Sequence, residues 1–405
     1  MIGAIADDVT GATDVAVAFR RHGLRTRLDF GVPSGDLRDV DAVVIALHTR
    51  MIEPAEAVAQ SVAAWKWLRD NEIARTYVKY CSTFDSTPRG NIGPVLEALS
   101  EAIGARTVVT TPSSPEHGRT QYAGYLFVGD QLLADSHMRH HPVTPMTESH
   151  LPTLLRQQTR ERIELVPLRE VRRKALSDRI ERATARFLFV DALSDDDLAE
   201  IGRAVVDLPL TAGAAGLAGG LAAALAERIP GRPVEPVEAV LAGRAAVLSG
   251  SCSARTLEQV DHLLAAGRPA YFLDVVAAPS GATLAASALA WYDALSGDAA
   301  PVIYSSVAPD RLRAIQDALG AARAAGILED ATGRIARGLV ERGVTRVLAA
   351  GGETSGAVVA ALGVDGGLVG AEAARGVPWI HASELALLLK SGNFGEPDLL
   401  TRASR

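Results

Sequence analysis

Short apolar runs alternate with longer stretches whose apolar positions recur every three or four residues, over nearly the whole chain. The short runs at 2–6, 27–30, 42–47, 76–81, 107–111, 187–191 and 209–212 read as buried strands. Between them, Ala-rich stretches such as 54–69 and 198–206 carry their apolar residues at helical spacing. This alternation predicts βαβ units and a mainly parallel sheet. The rhythm stops at 229–238, where three prolines fall within eight residues. It restarts with strands at 245–248, 270–273, 302–305, 346–349 and 385–390, and with helices at 254–266, 311–319 and 335–342. At 405 residues the chain exceeds the size at which one hydrophobic core keeps growing. The expectation is therefore an α/β protein of two domains, 1–230 and 240–405, each a mainly parallel sheet flanked by helices, joined by the Pro-rich segment.

Open α/β sheets bind ligands beyond the carboxyl ends of their strands, so the loops there carry the candidate chemistry. After the fourth run the chain reads Tyr77-Val-Lys-Tyr-Cys-Ser-Thr-Phe-Asp-Ser-Thr-Pro-Arg-Gly-Asn91. Lys79, Ser82, Thr83, Asp85, Ser86, Thr87, Arg89 and Asn91 crowd one loop with hydrogen-bonding groups that packing does not require. The first run ends in Asp7-Asp8-Val-Thr-Gly-Ala-Thr-Asp14. Three carboxylates and two hydroxyls suit hydroxyl recognition, proton abstraction or Mg²⁺ contacts; the plainer reading is that Thr10 or Asp8 caps the following helix, for which one residue would suffice. Arg50 stands at an equivalent strand end and could hold a carboxylate with both arms of its fork.

The stretch 111–130 predicts a polar loop feeding a β-hairpin inserted in the first domain. Glu116, Arg119 and Asp130 either line a cleft there or belong to a dimer arm. His137, His140 and His141 match no zinc-ligand spacing and read as loop or interface residues, so no metal site is expected. Ser194-Asp-Asp-Asp reads as a helix cap. In 213–219 the repeated glycines suggest close helix packing.

In the second half, Ala350-Gly-Gly-Glu-Thr-Ser-Gly356 joins a strand to an apolar helix. Glycines and hydroxyls at a helix amino terminus offer free N–H groups to phosphate oxygens, and no Gly-Lys-Ser/Thr makes this a P-loop. Leu248-Ser-Gly-Ser-Cys-Ser-Ala-Arg-Thr256 and Lys390-Ser-Gly-Asn-Phe-Gly395 are two further polar turns at strand ends. Three such loops in one domain favour a nucleotide site.

A formal charge of −7 with scattered arginines argues against a nucleic-acid surface, and no polybasic segment or long uncharged apolar span points to a membrane. Two cysteines, Cys81 and Cys252, fall in different halves, which disfavours a disulfide scaffold and fits a reducing cytoplasm. The first residues lack the basic region and cleavage site of a signal peptide.

The motifs at 7–14, 79–94, Gly118-Arg-Thr with Leu126-Phe-Val-Gly-Asp130, His141-Pro-Val-Thr-Pro-Met146, Ser249-Gly-Ser-Cys-Ser253, 351–356 and 390–395 together resemble the four-carbon acid sugar kinase family. The resemblance spans nearly the whole chain. It implies an amino-terminal sugar-acid-binding domain and a carboxyl-terminal nucleotide domain that phosphorylates the C4 hydroxyl using ATP and Mg²⁺. The expected acceptor is 3-oxo-tetronate, with D-threonate or D-erythronate as the alternatives. On this reading Asp7, Asp14, Arg50, Lys79, Ser82, Ser86 and Asn91 bind substrate, and Asp8 or Asp85 accepts the hydroxyl proton. Ser251, Ser253, Gly352, Glu353, Thr354, Ser355 and Gly395 hold the nucleotide, with Lys390 a further candidate for phosphate charge. Two departures stand out: Ala214-Ala215-Gly216 where a Gly-Ser-Gly-like turn is expected, and His117 where relatives often carry Asn. From another class, a sugar-acid sensor would bind the same ligand without consuming ATP. A dehydrogenase is disfavoured because no Gly-x-Gly-x-x-Gly follows the first strand of either half. A homodimer through the hairpin is the expected assembly, and transfer between two domains would require them to close.

Overall fold

The computed structural model describes residues 1–34, 37, 39–141, 144–228, 242–278 and 280–405. The chain forms two compact units, Met1–Glu235 and Pro236–Arg405. The Pro-rich segment 229–238, and residues 142–143 of the His-Pro-Val-Thr-Pro-Met motif, lie outside the described residues.

The first unit runs β1 (Ile2–Ala6), α1 (Val9–Arg21), β2 (Thr26–Phe30), β3 (Ala42–Ala46), α2 (Pro54–Asp70), β4 (Arg75–Lys79), α3 (Ile92–Ile103) and β5 (Val108–Thr111). A small antiparallel sheet of β6 (Arg119–Tyr122), β7 (Tyr125–Val128) and β8 (Gln131–Leu132) is inserted next. The unit closes with α4 (Leu151–Leu155), β9 (Ile163–Val166), α5 (Leu168–Arg172), α6 (Leu176–Glu181), β10 (Phe187–Val190), α7 (Asp195–Val205), β11 (Leu210–Gly213) and α8 (Ala215–Ala226).

The main strands align in the order β2-β3-β1-β4-β11-β5-β10-β9, and every neighbouring pair is parallel. Helices cover both faces, so β1 and β3 are buried along their whole length, and this is why their sequences are uninterrupted apolar runs. The chain leaves β1 toward β3 on one side and later returns to β4 on the other. That reversal makes the carboxyl ends of β1 and β4 the switch point at which such sheets bind ligands. Register levels these ends: Ala6 pairs with Ala46 and with Lys79, and Lys79 pairs with Gly213.

The glycines of 213–220 serve packing, as their spacing suggested. A Cβ on Gly216 would lie 2.4 Å from the Ser113 carbonyl oxygen, and one on Gly220 would lie 2.2 Å from that of Leu198. Gly202 returns the contact from α7, where a Cβ would meet Gly220 O at 2.1 Å. The two helices therefore touch backbone to backbone.

The second unit runs β12 (Arg244–Ser249), α9 (Ala254–Ala265), β13 (Ala270–Phe272), α10 (Gly281–Asp293), β14 (Val302–Tyr304), α11 (Pro309–Leu319), α12 (Ala321–Glu341), β15 (Val344–Ala350) and α13 (Gly352–Leu362). β16 (Gly366–Ala374), β17 (Val377–Ala382), β18 (Leu385–Lys390) and α14 (Leu399–Ala403) follow. The order is β13-β14-β12-β15-β18-β17-β16, parallel from β13 to β18, with β17 antiparallel to both of its neighbours. The α/β architecture with mainly parallel sheets and a hairpin insertion is as expected. The antiparallel pair β16–β17 was not, because Gly366, Gly367, Gly370, Gly376 and Pro378 break its apolar pattern. No helix among the described residues is long and apolar enough to cross a membrane.

The contact between α7 and α8 gives a test of packing. Gly220→Ala forces a methyl against a backbone oxygen that cannot move without parting the helices, an overpacking cost of about 1–3 kcal/mol. Gly326→Ala, in α12 with nothing within 4 Å of the new methyl, is expected to gain up to ~1 kcal/mol from helix propensity. Urea-unfolding midpoints of the two variants should move in opposite directions.

Candidate functional site

The first unit carries a cleft of about 110 Å³ beyond the switch point, lined by Asp8, Thr10, Gly11, Asp14, Arg50, Lys79, Cys81, Ser82, Ser114, His117 and Ala215. Its base is the start of α1. Asp8 is in extended conformation and caps the helix, its Oδ1 accepting the Gly11 N–H at 2.7 Å. The cap was one of the two roles open to Asp8, and the structure gives it that role at the rim of the cleft.

Arg50 bridges the paired aspartates. Its Nε and Nη2 donate to the two oxygens of Asp7 at 2.8 Å each, and Nη2 is 2.7 Å from Asp8 Oδ1. The backbone supports this fork, because the N–H groups of Thr49 and Arg50 both donate to Asp7 O. Asn91 completes the support: its Nδ2 donates to the carbonyls of Thr49 at 2.7 Å and Ile52 at 3.1 Å. Asn91 thus anchors the loop that presents Arg50 and is absent from the cleft lining, and Asp7 stands behind the guanidinium.

Lys79 ends β4 and is 3% exposed, with Nζ donating to Tyr80 O at 2.9 Å. It lies over Gly11, where a Cβ would come within 2.7 Å of Nζ and 2.6 Å of Asp8 Oδ1. Any side chain at residue 11 would push the ammonium away from the cap. Asp14 faces the same space one turn along α1. Burial pushes its carboxyl up to about 6, with Asp8 and Glu116 adding to the rise while Lys79 and Arg50 oppose it.

Ser82 reaches the lining, whereas the rest of its loop braces itself. Ser86 Oγ accepts from Gln158 Nε2 at 2.7 Å, and Asp85 accepts from Thr83 Oγ1 at 2.5 Å and Cys81 Sγ at 3.2 Å. Glu116 holds Arg21 through both oxygens at 3.0 Å, which ties the 115–117 turn to α1 and sets His117 into the wall. Ser114 Oγ and His117 Nδ1 are 2.8 Å apart. Asp130 lies exposed on the hairpin, away from the lining. Ser114 and Ala215 come from the turns after β5 and β11. Ala215 stands in the turn where the resemblance expects a Gly-Ser-Gly-like sequence, while Ser114 carries no such signal, since only the sheet order β4-β11-β5 brings its turn to the cleft.

In the second unit β12, β15 and β18 are adjacent and parallel, with Ser249 level with Ala350 and Ala350 level with Lys390. The three polar turns after them interlock because each has a glycine at the contact. A Cβ on Gly250 would meet Thr354 Oγ1 at 2.4 Å, one on Gly392 would meet Ser251 Oγ at 2.6 Å, and Gly351, with φ of 122°, faces Ser251 N. Ser253 caps α9 and its Oγ is 3.2 Å from that of Ser251. Lys390 is buried and donates to Thr256 Oγ1 at 2.9 Å and Gly392 O at 3.0 Å. Burial lowers its ammonium to about 8, with Arg255 adding to the effect.

α13 starts at Gly352 with no side-chain cap, which leaves its amino end open to an anion. Gly352 and Glu353 are exposed there, while Thr354 and Ser355 are buried. Ser355 Oγ is buried and has no hydrogen-bond partner. A phosphate oxygen at this end would satisfy both the helix amides and that hydroxyl. Gly395 has φ of 81° and packs on Leu399, so its backbone shapes the third turn. No group of three or more His, Cys, Asp or Glu among the described residues is placed to hold a metal ion.

One unit with a cation-and-carboxylate cleft and one with a glycine-lined turn open to an anion suit a class of protein that acts on a small polar ligand with the help of a phosphorylated one. Residues 2–221 match the sugar-binding N-terminal domain model and residues 246–400 the nucleotide-binding C-terminal domain model, and the chain belongs to the four-carbon acid sugar kinase family. It is 44% identical to a 3-oxo-tetronate kinase of Brucella melitensis over 97% of this chain and 93% of that one. It is also 44% identical to a 3-oxo-tetronate kinase of Pseudomonas fluorescens over 100% and 96%. A crystal structure from Salmonella typhimurium superposes with a TM-score of 0.93 at 40% identity, covering 100% of this chain and 98% of that one.

Asn91→Asp keeps the shape and replaces the donating amide by a carboxylate that faces the Thr49 and Ile52 carbonyls. The expected loss is about 1–3 kcal/mol, and it should appear as a lower unfolding temperature of the first unit with nucleotide binding intact.

Proposed function

We propose that the protein transfers the γ-phosphoryl group of ATP to the C4 hydroxyl of a four-carbon sugar acid, with 3-oxo-tetronate the preferred acceptor. The observation that carries this reading is the identity of 44% to 3-oxo-tetronate kinases over 97–100% of the chain, a span that includes both units. The first unit, read as 1–230, binds the acid, and the second, read as 240–405, binds ATP.

Phosphoryl transfer asks the protein for positioning and charge stabilisation more than covalent chemistry. In the first unit Arg50 and Lys79 supply positive charge for the substrate carboxylate. Asp7 fixes the plane of the guanidinium and leaves Nη1 as the edge open to the ligand. Ser82 and Asp14 offer hydrogen bonds to the hydroxyls. Asn91, Ser86 and Asp85 act from behind, holding the loops in place. In the second unit the amides of Gly352–Ser355, the hydroxyls of Ser251, Ser253 and Ser355, and the turn at Gly395 suit the phosphates, and the unpartnered Ser355 hydroxyl fits that occupant. Mg²⁺ would arrive with the nucleotide and neutralise its phosphates. A cytoplasmic location fits the use of ATP. A homodimer built on the hairpin, where Tyr122 and Tyr125 are 53% and 43% exposed, is the assembly to look for by light scattering.

The deciding experiment measures ATP consumption by the purified protein with Mg²⁺ against 3-oxo-tetronate, D-threonate, D-erythronate and L-threonate, with products resolved by mass spectrometry. Turnover of the 3-oxo acid above the others is the expected result. Preference for a reduced acid would move the assignment to a sibling kinase. ADP binding without any turnover would leave a sugar-acid sensor.

Two variants test the nucleotide turns. Ser355→Ala removes a hydroxyl that is unpaired in the free protein, so stability should hold or rise while the KM for ATP increases about tenfold, or ~1.4 kcal/mol. Lys390 loses its charge as pH rises through about 8, so ADP affinity should fall above that pH in the wild type and not in Lys390→Met. The sign for stability is opposite. Between about 8 and the ordinary 10.5 the unfolded chain binds more protons than the folded one, and stability rises with pH.

A further inference from the structure

Building on the kinase reading, we propose that Asp14 is the catalytic base, accepting the proton of the substrate hydroxyl as it attacks the γ-phosphorus. Four aspartates stand at or near the cleft, and their surroundings separate them. Asp7 is held through both oxygens by Arg50. Asp8 spends Oδ1 on the Gly11 amide and on Arg50 Nη2. Asp85 is outside the lining and is held by Thr83 and Cys81. Asp14 lines the cleft, and every influence on it is burial or charge, with no hydrogen bond from another group among them. Among the described residues neither Asp14 oxygen takes a hydrogen-bond donor, whereas Asp8 has one oxygen committed and its carboxylate held against Arg50.

A base must also sit near the working pH. The charged groups that face Asp14 come from every wall: Lys79 from the end of β4, Arg50 from the loop after β3, Asp8 from its own helix cap and Glu116 from the 115–117 turn. His117 and Cys81 line the same cleft. Burial outweighs the two cations and brings the carboxyl to about 6, ionised at neutral pH and still basic enough to take a proton. In the step itself the hydroxyl proton passes to an Asp14 oxygen, the hydroxyl oxygen bonds to the γ-phosphorus, and the bond from that phosphorus to the bridging oxygen breaks. Its electron pair leaves on ADP. Asp14 then releases the proton to solvent.

The test is the pH dependence of kcat/KM for the sugar acid at saturating MgATP in wild type, Asp14→Asn, Asp8→Asn and His117→Asn, with ADP-induced thermal shift as the control for folding. The wild type should lose kcat/KM tenfold per pH unit below about 6. Asp14→Asn should lose about 10²–10⁴-fold in kcat and any residual activity should show no acid limb, while the limb persists in Asp8→Asn and His117→Asn. Turnover within tenfold of wild type in Asp14→Asn overturns the proposal, as does a limb that disappears in Asp8→Asn or His117→Asn instead. If Asp14→Asn does not fold, the wild-type profile decides, since a flat profile between about pH 5 and 7.5 is incompatible with this base. Absence of turnover in the wild type would overturn the kinase reading itself, an outcome distinct from turnover that survives the loss of Asp14.

Discussion

Parallel register fixes the heights of the strand ends in the first unit, and nearly every feature of the cleft beyond them follows from it. Because Ala6 lies level with Ala46 and Lys79, and Lys79 with Gly213, the chain emerges from four strands at the same height. The residues that follow need only one or two steps to meet. Asp7 and Asp8 come directly off β1, Arg50 arrives a few residues beyond β3, and Lys79 is the last residue of β4. A slip of one residue in any of these pairings would turn the side chain at the strand end to the opposite face. The buried core of β1 and β3 is what makes such a slip costly.

Charge within the cleft is balanced by geometry as well as by number. Arg50 is divided between two aspartates, and its loop is clamped by the Asp7 carbonyl and the Asn91 amide. A partly buried fork held from several sides loses little entropy when a ligand arrives, so its remaining edge can be presented ready-made. Lys79 obtains its place differently, through the missing side chain of Gly11. The second unit offers an anion other means: the uncapped amino end of α13, nearby hydroxyls and glycine turns, with Lys390 buried on Thr256 and Gly392 O. Fixed charges suit a single carboxylate that must be oriented. A helix terminus suits phosphate oxygens, which take several N–H donors at once.

Much of this was legible in the residues. Parallel strands covered on both faces must be apolar throughout, so 2–6, 42–47 and 385–390 announce themselves, and the polar bursts after them mark the sites. β9 was not legible, because Ile163-Glu-Leu-Val166 is an edge strand with half its side chains partly exposed. The roles of Asn91 and Ser86 were not legible either. A polar residue in a polar loop has the same signature whether it meets a ligand or a backbone carbonyl, and only the fold of the loop decides. Ser114 enters through sheet order, β4-β11-β5, which inserts the sequence-distant β11 beside β4 and brings the turn after β5 to the same cleft.

In the proposed role, the position of Asp14 would link substrate binding to proton uptake. With Asp7, Asp8, Asp14, Arg50 and Lys79 all charged the group carries one net negative charge, and the carboxylate of a sugar acid adds another. Of the three aspartates, Asp14 alone takes no donor from Arg50 or from the Gly11 amide, so the second negative charge falls most heavily on its proton affinity. Acid binding should therefore draw a proton toward Asp14, and the acid limb of kcat should lie at higher pH than that of kcat/KM, since the two report the bound and free enzyme. With Asp14 as the proposed base, binding and catalysis make opposite demands on one carboxyl. On the proposed reading, Lys79 and Arg50 would hold the substrate carboxylate close and so limit how far that conflict can go.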